Sequence, residues 1–230
     1  MRSYFVTGTG TEVGKTYVTA GIIRAAREAG RVAIGVKPVL SGYDAAAPAE
    51  SDAGAILSAM GKPVTARSVA AIAPWRYRAA ISPDMAAALE GRSISLTSVL
   101  TFCRAAAAAT PGMTLVEGVG GTMVPIDQWH TVRDWIAALR IPAILVAGTY
   151  LGTISHVLTA ADALAARNVE IAGIVLSESE TSPVPPEATA RAIARFLPRT
   201  QIFTVPRGRS EMAFQRLAWA LDQYGVANAL

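Results

Sequence analysis

The chain has 230 residues and a mass of 24.0 kDa, enough for one sizeable core and too little for most two-domain enzymes. Hydrophobic residues make up 52% and charged ones 17%, which excludes a disordered chain, and no uninterrupted apolar stretch reaches the roughly 18 residues of a membrane span. The 21 basic residues exceed the 17 acidic ones by a net charge of +4, but no basic tract is present, so no nucleic-acid partner is expected.

The residues from Met1 to Tyr4 give no charged region leading into a long apolar run, so no signal peptide is expected. Cys103 is the single cysteine, which excludes an internal disulfide and fits a reducing cytoplasm. Lysine is scarce: only Lys15, Lys37 and Lys62 stand among the cations. Where arginine supplies nearly all the surface charge, a lysine in a glycine-rich turn points to a need for a compact ammonium there.

The first predicted strand, Tyr4 to Val6, leads into Gly8-Thr9-Gly10-Thr11-Glu12-Val13-Gly14-Lys15-Thr16 and then a helical pattern from Thr16 to Ala29. Strand, glycine turn and helix form a cradle for phosphate. Backbone N–H groups converge with the positive helix end, Lys15 reaches the outer phosphates, and the Thr16 hydroxyl is placed to ligate Mg²⁺. The usual pattern has a glycine where Thr9 stands, while Gly8 lies one position earlier; the Gly14-Lys15-Thr16 end is intact. A dinucleotide-binding fold is disfavoured. Val13 replaces a glycine of its fingerprint, and Lys37 stands where a ribose-binding carboxylate belongs.

The second strand, Val32 to Val36, runs into Lys37-Pro38-Val39-Leu40-Ser41-Gly42. Lys37 reads either as a solvated strand end or as a second cation facing transferred phosphate. Residues Leu40 to Ser51 read as irregular, and Asp52, before the helix-like Ala53 to Met60, is either a helix N-cap or a metal ligand. A helix from Leu96 to Ala109 precedes the strand Met113 to Val116, which ends in Glu117-Gly118-Val119-Gly120-Gly121. An acid there suits Mg²⁺, and the glycines let the backbone approach a ligand. A helix from Val132 to Leu139, a strand from Ala143 to Val146 and a helix from Ile154 to Arg167 follow. The strand Ile171 to Leu176, an irregular stretch from Ser177 to Pro186, a helix from Glu187 to Phe196, the strand Ile202 to Val205 and a helix from Glu211 to Tyr224 complete the order.

This alternation predicts an α/β fold, a P-loop NTPase-like parallel sheet flanked by helices, in a single domain covering residues 1–230. Every strand's carboxyl end then lies on one edge, where Lys15, Thr16, Lys37, Asp52 and Glu117 together make the inventory for phosphoryl transfer. His130 and His156 have no neighbouring ligands for a transition metal, and Cys103 reads as a small buried apolar residue.

From Tyr4 to about Gly208 the residues resemble the dethiobiotin synthetase family, ATP-dependent enzymes of biotin synthesis. The likeness rests on Tyr4 to Thr16, Lys37 to Gly42, Ser51-Asp52, Ser82-Pro83, Val116 to Gly121 and Leu151-Gly152-Thr153-Ile154-Ser155-His156. The offset phosphate loop is that family's own variant. The resemblance implies a cytoplasmic homodimer without membrane or nucleic-acid partners, using ATP, Mg²⁺ and CO₂, or bicarbonate as its source, to close a ureido ring on 7,8-diaminononanoate. It also implies residue roles. Lys15 and Lys37 stabilise carbamate and phosphoryl charge, Thr11, Glu12 and Ser41 line the reacting groups, and Thr16, Asp52 and Glu117 hold the metal. Nucleotide contacts fall on Glu12, Val13, Gly14, Lys15, Thr16 and Tyr17, on Glu117, Gly118, Val119 and Gly120, and on Ser177, Pro206, Arg207 and Gly208. Leu151, Gly152, Thr153, Ile154 and Ser155 offer a helix N-terminus to the substrate carboxylate across the dimer.

The chain departs from the family pattern at Gly10, Val119, Asp84 and Ser155, where aspartate, alanine, histidine and asparagine are usual. At Ser177 an adenine-reading asparagine is common, so relaxed base selectivity is expected. A partitioning ATPase of the same fold would carry a lysine at position 10, and a cobyrinate-type amidating synthetase would need a glutamine-hydrolysing domain. A non-catalytic nucleotide-binding module is a further alternative; phosphate release separates these readings, since the synthetase needs the diamine and CO₂ while a switch hydrolyses ATP alone or with a macromolecular partner.

Overall fold

The computed structural model describes residues 2–227. Its main sheet has six strands: β1 (Arg2–Gly8), β2 (Ala33–Val36), β5 (Met113–Glu117), β6 (Ala143–Ala147), β7 (Ile171–Ser177) and β8 (Ile202–Val205). Two further strands, β3 (Val39–Leu40) and β4 (Trp75–Arg76), form a small parallel ribbon beside it. The sheet order is β2-β5-β1-β6-β7-β8, and every pairing is parallel. The apolar runs read as strands are these six, and Phe5, Val6, Leu115, Ile144, Leu145, Ile174 and Val175 are wholly buried among them. Cover on both faces accounts for runs that do not alternate.

The helices are α1 (Lys15–Glu28), α2 (Asp52–Ala59), α3 (Ala66–Ile72), α4 (Pro83–Leu89), α5 (Leu96–Ala108), α6 (Val132–Leu139), α7 (Thr153–Ala165), α8 (Pro186–Ala194) and α9 (Glu211–Ala227). The expected helices appear with ends shifted by a few residues. The stretch left unassigned before Leu96 holds α3, α4 and β4, each too short to show a period. The supposedly irregular 40–51 begins at the end of β3 and includes a 3₁₀ turn at Pro48–Glu50.

The chain leaves β1 for the β2 edge, returns to β5 between them, and crosses to β6 on the other side of β1. That reversal opens a crevice at the carboxyl ends of the central strands. Register sets what meets there: Val6 pairs with Glu117, Val36 with Val116, and Gly8 with Val146. Lys37, one residue past β2, therefore comes level with Glu117 at the root of the glycine loop.

Candidate active site at the carboxyl edge of the sheet

The loop between β1 and α1 is held at both flanks. Thr9 N donates to Val146 O at 3.0 Å, and Thr122 N donates to Gly8 O at 2.9 Å. Glu12 has φ 58, a left-handed conformation that costs a non-glycine residue about 1 kcal/mol or more, and Gly14, the N-cap of α1, has φ 93. A Cβ at Gly14 would stand 2.6 Å from Ser177 Oγ, so the turn admits only glycine. On the opposite side, a Cβ at Gly121 would lie 3.2 Å from the Gly10 backbone; these glycines let two loops meet.

Lys37 is 2% exposed, which overturns its reading as a solvated strand end. Its Nζ donates to Glu117 Oε1 at 2.7 Å and Gly118 O at 2.8 Å, and lies 2.9 Å from Asp52 Oδ2. Thr16 Oγ1 lies 2.8 Å from Asp52 Oδ1 and 2.7 Å from Glu117 Oε1. One hydroxyl proton serves only one of these carboxylates at a time, so the cluster has more acceptors than donors. Glu117 is fully buried, and its Oε2 has no hydrogen-bond partner. That orphaned oxygen and the converging hard oxygens of Thr16, Asp52 and Glu117 fit a Mg²⁺ ion. Among the described residues no group of three or more His, Cys, Asp and Glu side chains forms a metal cage. The two readings of Asp52 separate cleanly. Ser51 is the N-cap, accepting from Gly54 N at 3.1 Å, so Asp52, first in α2, is free to face the loop.

The charges shift one another. Burial, reinforced by Lys37, brings the Lys15 ammonium down to about 8, while its Nζ folds back to donate to Gly10 O at 2.6 Å. Burial alone would lower Lys37 too, but Glu117 and Asp52 outweigh it and hold that ammonium above its ordinary value. Burial opposes ionisation of Asp52, and Lys37 more than offsets this, so its carboxyl sits below the usual range.

Two cavities flank the loop. One, of about 570 Å³, is lined by Thr11, Glu12, Lys15, Thr16, Lys37, Ser41 and Asp52 at its polar end and by Leu40, Ile81, Pro83, Val119 and Val124 at its apolar end. Ser41 Oγ is buried without a partner. The other, of about 620 Å³, is lined by Val13, Ser177, Arg207 and Gly208, and shares Glu12, Gly14 and Tyr17 with the first. The residues assigned to nucleotide thus divide: Val119 and Gly120 line the first cavity, Ser177, Arg207 and Gly208 the second, and Pro206 sits between two residues of the second wall. Glu117 and Gly118 lie beneath the first, holding Lys37. Leu151, Gly152, Thr153, Ile154 and Ser155 line neither, lying at the start of α7 with Leu151 88% exposed. Sequence reasoning missed Ala80, Ile81, Val124 and Pro125, apolar loop residues without a spacing signal, and gave no role to Pro83, whose Ser-Pro pair marks the start of α4.

Three other candidates stay outside the chemistry. Burial pushes the Cys103 thiol up to about 12; His130 Nδ1 is held 2.9 Å from Asp127; and His156 Nδ1 is 2.9 Å from the Tyr150 hydroxyl. No helix among the described residues is long and apolar enough to cross a membrane.

Comparison with known proteins adds a second kind of observation. A family model described as an AAA domain matches residues 2–212. The ATP-dependent dethiobiotin synthetase BioD of Acidiphilium cryptum is 52% identical over 201 residues, covering 87% of this chain and 90% of that protein. Its counterpart in Methylobacterium nodulans is 46% identical over 213 residues, covering 90% and 94%. Among solved structures, the septum site-determining protein MinD of Pyrococcus horikoshii, complexed with Mg-ADP, aligns with a TM-score of 0.56 over 97% of each chain at 14% identity, a likeness of fold.

Proposed function

The chain belongs to the ATP-dependent dethiobiotin synthetase family and makes dethiobiotin for biotin synthesis, a C–N bond-forming ligation, and we propose that it does so at the carboxyl edge of the sheet. The observation that carries this assignment is the meeting of Lys37, Thr16, Asp52 and Glu117, from four separate segments, at the root of one phosphate loop. In this reading the chain acts as one domain. The loop amides and the start of α1 hold the triphosphate, and the base lies toward Ser177, Pro206, Arg207 and Gly208. The short Ser177 hydroxyl offers no amide edge, so the base is read loosely.

The diamine occupies the first cavity, its apolar stem along Ile81, Pro83 and Val124. One amine attacks CO₂, forming a C–N bond and releasing a proton, and gives a carbamate. A carbamate oxygen attacks the γ-phosphorus, the bond to the β,γ-bridging oxygen breaks, and ADP leaves. The second amine attacks the carbonyl carbon of this mixed anhydride, expels phosphate and closes the ureido ring. Lys37 is fixed by Glu117 and Gly118 O before substrate arrives, so its charge meets the developing phosphoryl charge without reorganising. Lys15 exchanges Gly10 O for phosphate oxygens, which favour its charged form. Thr11, Glu12 and Ser41 orient the carbamate.

Thr16, Asp52 and Glu117 are the residues that would hold Mg²⁺, which neutralises the outer phosphate oxygens when bound. The block from Leu151 to Ser155, which lines neither of the two cavities of its own chain, serves the partner's substrate carboxylate in a homodimer, and we place that enzyme in the cytoplasm. Incubation with 7,8-diaminononanoate, bicarbonate, Mg²⁺ and ATP should yield the cyclic urea by mass spectrometry, with phosphate release dependent on the diamine. Equal ATP hydrolysis without the diamine would overturn the reading.

A further inference from the structure

The β3–β4 ribbon has a second face, away from the phosphate loop. A cavity of about 730 Å³ opens there, and its charged walls are Arg76, Arg78 and Arg92 against Asp44 and Glu90. The carboxylates are engaged with protein donors. Asp44 accepts from Ala46 N at 2.8 Å, and Glu90 accepts from Arg78 N at 2.8 Å and from Arg92 Nη1 at 3.1 Å. Two of the guanidiniums are held in place by stacking and by carbonyls. Arg76 lies 5.6 Å over the Tyr43 ring and donates to Ala73 O, while Arg92 lies 4.6 Å over the Tyr77 ring and donates to Arg76 O at 2.9 Å. The Arg78 side chain is exposed, and its backbone N–H and its charge both help to hold the Glu90 carboxyl below its ordinary value. Tyr77, also on this wall, is 1% exposed, and its hydroxyl is buried without a hydrogen bond. With both carboxylates already accepting from protein donors, three guanidiniums leave the cavity an excess of positive charge that suits an anion.

We propose that this cavity binds a small phosphate-type oxyanion through the guanidiniums of Arg76, Arg78 and Arg92. The occupant bears on turnover through the ribbon and does not touch the reacting groups. Tyr77 N donates to Leu40 O at 2.9 Å and Gly42 N to Ala79 O at 3.0 Å, while Leu40, Ser41 and Ala80 line the catalytic cavity on the other side. The site stands on its own geometry and does not depend on the reaction proposed above.

The test is equilibrium binding of radiolabelled inorganic phosphate to the full chain, with the phosphate loop filled by Mg²⁺ and a non-hydrolysable ATP analogue. One equivalent per chain should remain, weakened about tenfold or more in Arg78→Gln and less in Arg78→Lys, which keeps the charge. Arg78 is exposed and acts within the protein only on the exposed Glu90, so both variants should keep close to the wild-type melting temperature. Absence of that equivalent, or wild-type affinity in Arg78→Gln, would overturn the proposal. Competition by glycerol phosphate would mark a phosphate ester as the source, and its failure free phosphate.

Discussion

Two clusters of charge tie distant parts of this chain together, and they are built differently. At the far end of β1 from the phosphate loop, Asp222 of α9 pairs with Arg2 at 2.6 Å and with Arg31 through its other oxygen. Both carboxylate oxygens are used, and the arginines remain about a third exposed. At the carboxyl edge, Lys37 and Glu117 are almost wholly withdrawn from water, one Glu117 oxygen has no partner, and Lys15 is left with a weakened hold on its proton. The first cluster uses both oxygens of its carboxylate, leaving only Arg31 Nε buried and unpaired, and acts as a clamp. The second retains unmet capacity at a cost in stability, which marks it as prepared for a charged ligand.

The comparison can be broken at each end. The largest effect is expected from Lys37→Gln, which should lower kcat by about 10²- to 10³-fold while leaving the Kd for ATP little changed. Turnover assays beside calorimetric nucleotide titration measure both; comparable losses would reduce Lys37 to a nucleotide clamp. Asp222→Asn should act the opposite way. Urea unfolding should show a loss of about 2 kcal/mol, between the values for buried and surface pairs, with kcat of the folded enzyme unchanged.

The smallest effect sharpens the contrast within the site. Because free Lys15 titrates near about 8, nucleotide affinity should fall as pH rises through that value, approaching tenfold per unit above it. Lys15→Arg, always protonated, should flatten the profile, and a wild-type affinity independent of pH would contradict the assignment. For stability the sign reverses. A Lys15 value below that of the unfolded chain means the unfolded state holds more protons between about 8 and 10.5, so this group makes stability rise with pH there. Lys37, raised by Glu117 and Asp52, contributes stability that is lost as pH climbs through its elevated value.

Much of the architecture was legible because burial on both faces leaves its mark as uninterrupted apolar runs, six of which become the six parallel strands. The ribbon of β3 and β4 was not legible. Two-residue strands carry no period, and their pairing joins residues 39–40 to 75–76, a long-range contact absent from local pattern. Ser51 and Asp52 show the same limit on a smaller scale: either side chain suits a helix start, and only the packed structure assigns the cap to one and the site to the other.

By itself the sequence determined that a phosphate loop follows the first strand and which cations and carboxylates follow later ones, since chemistry and strand order are written locally. Only the tertiary structure decided that Lys37 is buried, that Glu117 keeps an unpaired oxygen, and that the loop separates two cavities. Those properties depend on the register between strands far apart in the chain and on the water excluded around them, and neither is encoded in the spacing of residues along one segment.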